Sequence, residues 1–190
     1  MHILITGLVI FFGVHSISII NVSWRDHVVT RIGLLTWQGI YSLISVIGLT
    51  LIIYGYTLAQ QAAVILYLPP AWLYWVAILL LVFIFPLLLA TYMPGRIQTI
   101  TRHPMLAATK LWAFAHLLVN GNLADVVLFG AFLFWAVVER ISLKRRRPDL
   151  VPMLPSSRAN DAIIIVVGLL LYVVFIVWLH EWITGISLIR

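Results

Sequence analysis

Cysteine is absent from this 190-residue chain, and charged residues make up only 9% of it. The absence of cysteine excludes disulfides, cysteine-ligated zinc, iron–sulfur clusters and covalent haem attachment through a C-x-x-C-H motif. Any metal would therefore rest on histidine, carboxylate, methionine or tyrosine side chains. Soluble domains are about a quarter charged. The scarcity of charge, combined with a hydrophobic content of 63%, predicts a membrane protein.

Six apolar segments follow one another, and most reach the roughly 20 residues that a helix needs to cross a bilayer. They are residues 3–22, 34–58, 71–92, 104–119, 123–141 and 162–183. No basic stretch precedes the first segment and no small-x-small cleavage site follows it, so we expect a retained helix and not a signal peptide. Asn160 or Asp161 is expected to cap the last segment. The sequence therefore predicts an all-α polytopic bundle of six spans, forming a single domain over residues 1–190.

The basic residues orient this predicted bundle. The first, third and fifth connections hold nearly all of the lysine and arginine, whereas the second and fourth connections hold none. The positive-inside rule then places the odd-numbered connections in the cytoplasm and both termini in the periplasm of a bacterial inner membrane. The basic run at residues 144–147 is expected to contact anionic lipid headgroups. The net charge of +6 is thus explained by topology, and nucleic acid is not expected as a partner.

Six histidines are present, and their predicted depth separates them. His2 and His180 lie near the outer ends of the first and sixth spans, where they and Glu181 are one candidate for a metal site. His15 and His116 fall inside apolar runs. Ionisable residues within a bilayer usually face the bundle interior as functional groups. Hydrogen bonding of a histidine across a helix interface is the alternative for either residue alone.

One cofactor would account for both buried histidines. At a rise of 1.5 Å per residue, His15 lies roughly 10 Å and His116 roughly 18 Å from the cytoplasmic ends of their helices, an offset that a tilted planar cofactor would absorb. Helical spacing places further residues on the same two faces: Leu8, Phe11 and Phe12 with His15, and Met105, Thr109, Trp112 and Asn120 with His116. An aromatic slot with an imidazole on each wall suits haem b, although such stripes are also typical of ordinary packing.

A second group of polar residues lies at the predicted cytoplasmic end of the fourth span. Arg102 and His103 precede Pro104, which suits the first turn of a helix. The helix dipole favours an anion there, so a bound carboxylate or phosphate is one interpretation. In the other interpretation, Arg102 anchors the topology and His103 only starts the helix. Glu139, at the matching end of the fifth span, would pair with a neighbouring cation in either case.

Three ordered motifs resemble those of the NnrU family, bacterial inner-membrane proteins linked to denitrification and nitric oxide metabolism. The motifs are Gly13-Val14-His15-Ser16, Arg102-His103-Pro104-Met105 and Trp112-Ala113-Phe114-Ala115-His116-Leu117-Leu118 followed by Asn120-Gly121-Asn122. NnrU proteins are in turn similar to the zeta-carotene isomerase of plants, a membrane haem b protein. That similarity implies that His15 and His116 are axial haem ligands. Ala113 stands where the isomerase has a cysteine three residues before its second histidine.

These resemblances imply several functions and leave open whether the chain is an enzyme. The isomerase similarity implies haem-dependent isomerisation of a double bond in a lipophilic substrate. The NnrU similarity implies a haem-based carrier, electron-transfer or nitric oxide-responsive component. A more distant similarity to isoprenylcysteine carboxyl methyltransferases, over Arg102-His103-Pro104 and Glu139-Arg140, implies S-adenosylmethionine binding, although Met105 replaces that family's aromatic residue. A membrane scaffold without cofactor is the remaining alternative.

Overall fold

The computed structural model describes residues 1–145 and 153–188, and within these residues it contains helices and no β-strand. Helix accounts for 77% of the structure, which confirms the predicted all-α class. Each of the six predicted apolar segments contains at least one helix. In chain order the elements are α1 (His2–His15), α2 (Ile17–Ile20), α3 (Val22–Ile32), α4 (Leu34–Gln60), α5 (Leu73–Leu81), α6 (Ile84–Ala90), α7 (Arg96–Thr101), α8 (Pro104–Val119), α9 (Leu123–Ser142), α10 (Asn160–Val174), a π-helical turn (Phe175–Leu179) and α11 (His180–Thr184).

Three helical runs in the described part of the chain are long and apolar enough to cross a membrane. They are Leu34–Gln60, Leu73–Ala90 and Asn160–Thr184. The helices α1 and α8 are apolar but shorter, and α9 carries Asp125 near one end and Glu139 and Arg140 near the other. The membrane-helix character predicted from composition is confirmed at this level, whereas the number of six spans and the direction of the chain stay predictions.

The first and third predicted spans each contain two helices, since α1 ends at His15 and α2 begins at Ile17, and α5 ends at Leu81 and α6 begins at Ile84. Asn21 leaves helical geometry after α2, and its side-chain oxygen accepts a hydrogen bond from Trp24 N at 2.9 Å. Asparagine is a favourable N-cap, so α3 begins directly after Asn21, where the span predicted over residues 3–22 ends. Pro86, in the first turn of α6, explains the boundary between α5 and α6, because proline cannot donate to the carbonyl of Val82 and its ring crowds the preceding turn.

The chain divides into two compact units, each described here by itself. The first comprises Met1–Leu68 and Asn120–Arg145, and the second comprises Pro69–Val119 and the described part of Arg146–Arg190. The first unit therefore holds α1 to α4 and α9. Arg146 and Arg147, which complete the predicted lipid-contacting run, lie outside the described residues. The single domain expected from the sequence stays a prediction.

Glycine brings the backbones of α1 and α4 together in the first unit. Gly55 faces Leu4 and Gly48 faces Phe11, so the two helices run antiparallel. A Cβ atom added to Gly7, Gly48 or Gly55 would lie less than 3.0 Å from backbone atoms of the facing helix. Small residues that permit such close approach are typical of helix pairs in lipid, where van der Waals packing drives association.

The connection after α4 pairs with the turn that precedes α9. Leu66 N and Tyr67 N both donate hydrogen bonds to Gly121 O, at 2.8 and 3.1 Å, and Leu123 N donates to Val64 O at 2.8 Å. A Cβ atom on Gly121 would overlap the Tyr67 carbonyl oxygen. The glycine of the Asn-Gly-Asn motif is thus required by a close backbone approach.

The second unit is built around α6, which packs against α8 and α10, while α5 packs against α8. Gly168 of α10 lies directly over Pro86, where an added Cβ would lie 2.7 Å from the proline nitrogen. Tyr172, one turn further along α10, donates a hydrogen bond to Ile78 O at 2.8 Å. A small residue and one satisfied hydroxyl therefore hold α10 against the α5–α6 run.

The residue predicted to be the N-cap of the last span, Asn160 or Asp161, is wrong. Ala159 is the N-cap of α10, and it makes no side-chain capping bond. The Asp161 carboxylate instead caps α7, because it accepts hydrogen bonds from Arg96 N at 3.0 Å and Ile97 N at 3.1 Å. Asn160 donates to the backbone of the segment just before α7. Both side chains thus satisfy backbone groups of a neighbouring element, which local sequence patterns do not reveal.

Candidate functional site

His15 occupies the last position of α1, in the first unit, and its ring has a defined tautomer. The Nδ1 atom lies 2.7 Å from Phe11 O. A carbonyl oxygen can only accept a hydrogen bond, so Nδ1 carries the proton and the lone pair of the neutral ring lies on Nε2. The ring is half-buried.

Aromatic side chains surround this imidazole within the first unit. Phe11 stacks on the His15 ring with centroids 4.1 Å apart, and the Tyr41 and Trp135 ring centroids lie 5.1 and 5.8 Å from it. Phe12 stacks on Trp135 with centroids 5.6 Å apart. We call this set the His15 cluster; its members are Phe11, Phe12, His15, Tyr41, Phe132 and Trp135, contributed by α1, α4 and α9. Phe11 and Phe12, both predicted from helical spacing, belong to it.

Trp135 was not selected by the sequence reasoning, and it carries an unusual feature. Its Nε1 atom is buried and has no hydrogen-bond partner in the described part of the chain. Buried indole N–H groups usually find an acceptor, and leaving such a donor unsatisfied costs about 1–3 kcal/mol. A tryptophan within an apolar helix gives no such signal in sequence, because the signal arises from the packing around it.

His116 lies near the end of α8, in the second unit, and repeats the geometry of His15. Its Nδ1 atom lies 2.8 Å from Trp112 O, so Nδ1 again carries the proton and Nε2 the lone pair. The Trp112 ring, also predicted to line the slot, lies 5.3 Å from the imidazole between centroids. Thr109, predicted on the same face, uses its hydroxyl to donate to Met105 O at 2.9 Å.

The predicted ligands are therefore distributed over two units. The first unit brings His15 together with Phe11 and Phe12, and the second brings His116 together with Trp112. The structure thus describes two candidate ligand rings of the same tautomer, one in each unit. Their joint coordination of one iron stays a prediction.

Arg102 and His103 form a tight turn between α7 and α8. Arg102 has a φ of 60°, a left-handed conformation that is uncommon for residues other than glycine. Arg102 N donates to Gln98 O at 2.8 Å and His103 N donates to Thr101 O at 2.7 Å, so both N–H groups are used within the turn. His103 O then accepts from Ala107 N, which starts α8. Uncommon backbone conformations of this kind concentrate at functional sites.

A buried polar network, absent from the sequence-based candidates, lies where α4 meets the start of α9. The Asp125 side chain is 3% exposed and accepts hydrogen bonds from Tyr56 Oη at 2.5 Å and Gln60 Nε2 at 2.8 Å. Asn122 donates to Gln60 Oε1 at 2.8 Å and caps α9 by accepting from Asp125 N at 3.1 Å. We call these four residues the Asp125 network. One signal was available: an aspartate three residues after an asparagine suits the first turn of a helix.

Tyr67 lies beside this network, in the connection that pairs with the turn before α9. Burial and the negative charge of Asp125 raise the pKa of Tyr67 above its ordinary value. The phenol therefore keeps its proton at neutral pH and donates it to Asn120 O at 2.9 Å.

In residues 1–145 and 153–188, no group of three or more histidine, aspartate and glutamate side chains is placed to hold a metal ion. The outer site considered for His2, His180 and Glu181 therefore gains no support. His180 Nδ1 instead lies 2.9 Å from Ile186 O, a contact within its own helix end.

The fold and the candidate site together define an all-helical membrane protein with two half-buried histidines held against aromatic rings. The family model described as NnrU protein matches residues 3–188, nearly the whole chain, and the chain belongs to the NnrU family. This match confirms the resemblance carried by the three sequence motifs. Comparison with curated proteins and with solved structures gave no match.

Proposed function

We propose that this NnrU-family protein binds haem b with His15 and His116 as its axial ligands. The proposal rests on the hydrogen bonding of the two imidazole rings. Each ring donates from Nδ1 to the backbone carbonyl four residues earlier. Such a hydrogen bond is the usual means of fixing the tautomer and orientation of a metal-ligating histidine. It leaves Nε2 of each ring as the coordinating atom.

The surroundings of each ring fit this cofactor. Phe11, Phe12 and Trp135 supply flat apolar surfaces beside His15, and Trp112 supplies one beside His116. These side chains would pack against a porphyrin and exclude water from it. Bound haem supplies an iron that changes oxidation state and, when an axial position is open, binds diatomic gases. The assignment of both histidines to one iron comes from the sequence.

We further propose that the haem serves nitric oxide metabolism and denitrification, as a redox or nitric oxide-responsive component. Family membership supports this role. Isomerisation of a lipophilic substrate is the alternative use of the same cofactor, but Ala113 removes the thiol that ligand exchange on the isomerase pattern would need. The lipid bilayer and a lipophilic molecule or nitric oxide are the partners this proposal implies.

Removal of either ligand should abolish normal haem binding. Wild-type protein purified in detergent from haem-supplied cells is expected to show a Soret band and to give the haem b spectrum in a pyridine haemochrome assay. His15→Ala and His116→Ala should each lose the six-coordinate low-spin spectrum, because each removes one axial nitrogen. His27→Ala, in α3, is the matched control and should keep the wild-type spectrum.

Other outcomes would redirect the proposal. A colourless wild-type preparation would refute haem binding and favour a scaffold. Measured binding of S-adenosylmethionine by such a colourless protein would favour a methyltransferase. Uptake of nitric oxide or carbon monoxide by the ferrous protein would favour gas chemistry or isomerisation, whereas refusal of both gases would favour electron transfer.

The same proposal includes a topology of six spans in a bacterial inner membrane, with both termini in the periplasm. The alternation of basic connections supports it. The charged residues of α9 lie near its two ends, which suits a helix whose middle crosses the lipid. The shorter helices α1 and α8 would then lie largely among other helices.

Cysteine labelling should reveal this topology directly, because the chain supplies its own cysteine-free background. Ala63→Cys places a thiol in the predicted periplasmic connection, and Ile100→Cys places one in the predicted cytoplasmic connection, where the native side chain is 80% exposed. A membrane-impermeant maleimide should label Ala63→Cys in spheroplasts but label Ile100→Cys only after lysis. The reverse pattern, or labelling of both in spheroplasts, would contradict the topology.

A further inference from the structure

We propose that the indole N–H of Trp135 donates a hydrogen bond to a propionate carboxylate of the haem held at His15. The inference rests on the proposed haem binding and adds a positioning residue to it. It starts from the one feature of the His15 cluster that the described residues leave unexplained, the buried and unpartnered Nε1 atom of Trp135.

The position of this donor is set by packing. Phe12 stacks on the Trp135 ring with an interplanar angle of 28°, and the His15 ring meets it at 88° with centroids 5.8 Å apart. These two neighbouring rings restrict rotation of the indole. Burial of an unsatisfied donor is costly, and each such group in a native structure requires an explanation. An acceptor carried by a bound ligand provides one.

Trp135 lies close to His15, so the haem proposed to bind at His15 is the ligand that would carry the acceptor. A porphyrin coordinated at His15 Nε2 would be wider than the 5.8 Å between the His15 and Trp135 ring centroids, so its edge would come within reach of the indole. The four pyrrole nitrogens of haem are bound to iron, and its methyl and vinyl groups accept no ordinary hydrogen bond. The two propionate carboxylates are therefore the acceptors that haem offers at its edge.

The chemistry of the surroundings favours the same pairing. A carboxylate within a membrane protein is costly unless a donor or a cation compensates its charge. A hydrogen bond to an ionised acceptor is stronger than one between neutral groups. The Trp135 N–H lacks an acceptor in the described part of the chain and a propionate requires a donor, so one bond would satisfy both groups.

The test combines a change in the protein with a change in the ligand. Trp135→Phe removes the N–H and keeps an aromatic ring, and iron protoporphyrin IX dimethyl ester replaces the propionate charges with neutral esters. Transfer of haem from the detergent-solubilised protein to apomyoglobin gives the dissociation rate. Loss of a hydrogen bond to a charged acceptor should speed dissociation about tenfold or more. Trp37→Phe, a tryptophan outside the His15 cluster, is the matched control.

The decisive readout is non-additivity. If the bond exists, esterification should speed dissociation in the wild type and in Trp37→Phe, but should add little in Trp135→Phe, because the same interaction is already lost. Additive effects of the two changes would show that Trp135 acts only through packing and would overturn the proposal. Equal rates for Trp135→Phe and wild type would overturn it as well.

A second measurement needs no stable variant. In protein labelled with ¹⁵N at its eight tryptophan indoles, binding of diamagnetic gallium protoporphyrin IX should move one Nε1–H signal downfield, and the dimethyl ester should not. No such shift would refute the bond. A wild-type protein that binds no haem would refute the proposed function together with this inference, whereas normal haem binding without the shift would refute the Trp135 assignment alone.

Discussion

Gly55→Leu is expected to unfold the first unit. An added Cβ atom at this position would overlap Leu4 N, and both partners are backbone atoms of packed helices that cannot rotate away. Overpacking of a core typically costs about 1–3 kcal/mol when side chains can adjust, and here α1 and α4 would have to separate along their contact. We therefore expect a loss of about 3 kcal/mol or more, measured as the free energy of unfolding of detergent-solubilised protein in sodium dodecyl sulfate.

The matched control lies on the same helix. Gly39 also belongs to α4, but a Cβ atom there would meet nothing within 4 Å. Gly39→Ala should therefore be neutral or stabilise the protein by up to about 1 kcal/mol, because alanine is the better helix former. Equal stability of Gly55→Leu and Gly39→Ala would show that the glycine contact between α1 and α4 does not hold the unit together.

Asp125→Ala is the second substitution with a large expected effect. The carboxylate is almost fully buried and accepts hydrogen bonds from Tyr56 and Gln60, so its removal leaves two half-buried donors without this acceptor. Each unsatisfied group costs about 1–3 kcal/mol. We expect a total loss of about 3 kcal/mol in the same unfolding measurement, together with faster proteolysis in the connection after α4.

Two variants separate the hydrogen bonds from the charge and from surface effects. Asp125→Asn keeps an acceptor oxygen and should lose clearly less stability than Asp125→Ala. Asp26→Ala removes a surface carboxylate that is 55% exposed and paired with Arg25 at 2.7 Å, and exposed ion pairs contribute only about 0.5 kcal/mol. A loss in Asp26→Ala as large as that in Asp125→Ala would contradict the importance of burial.

Much of the helical structure follows from local sequence signals. The prediction for residues 104–119 matches α8 at both ends, because Pro104 suits a first helical turn and Asn120-Gly121 ends the apolar run. The starts of α4 and α9 match as well. The end predicted at residue 22 lies next to Asn21, whereas the boundary between α1 and α2 at Ser16 was not predicted, because it lies within an apolar run. Hydrophobicity predicts where the apolar segments lie and how long they are, but it does not predict where one helix ends and the next begins.

The same distinction applies to the residues of the candidate site: some could be selected from the sequence, and others could not. His15 and His116 could be selected from sequence because a polar ring in an apolar helix is visible in the sequence itself, and each ring bonds within its own helix. Trp135 and Asp125 could not, because their significance depends on partners far away in the chain, Phe12 for the first and Tyr56 for the second. The assignment of α8 and α9 to different units likewise has no signal in the short turn that joins them.

The discontinuous make-up of the first unit has a consequence for biogenesis. His15 and its α1 neighbours leave the ribosome early, but Phe132 and Trp135 emerge only after the whole of α5 to α8 has been synthesised. During that interval α1 and α4 can already pair through their glycines, while the imidazole still lacks two of its aromatic neighbours. Under the proposed haem binding, the His15 cluster is therefore complete only after α9 has been synthesised.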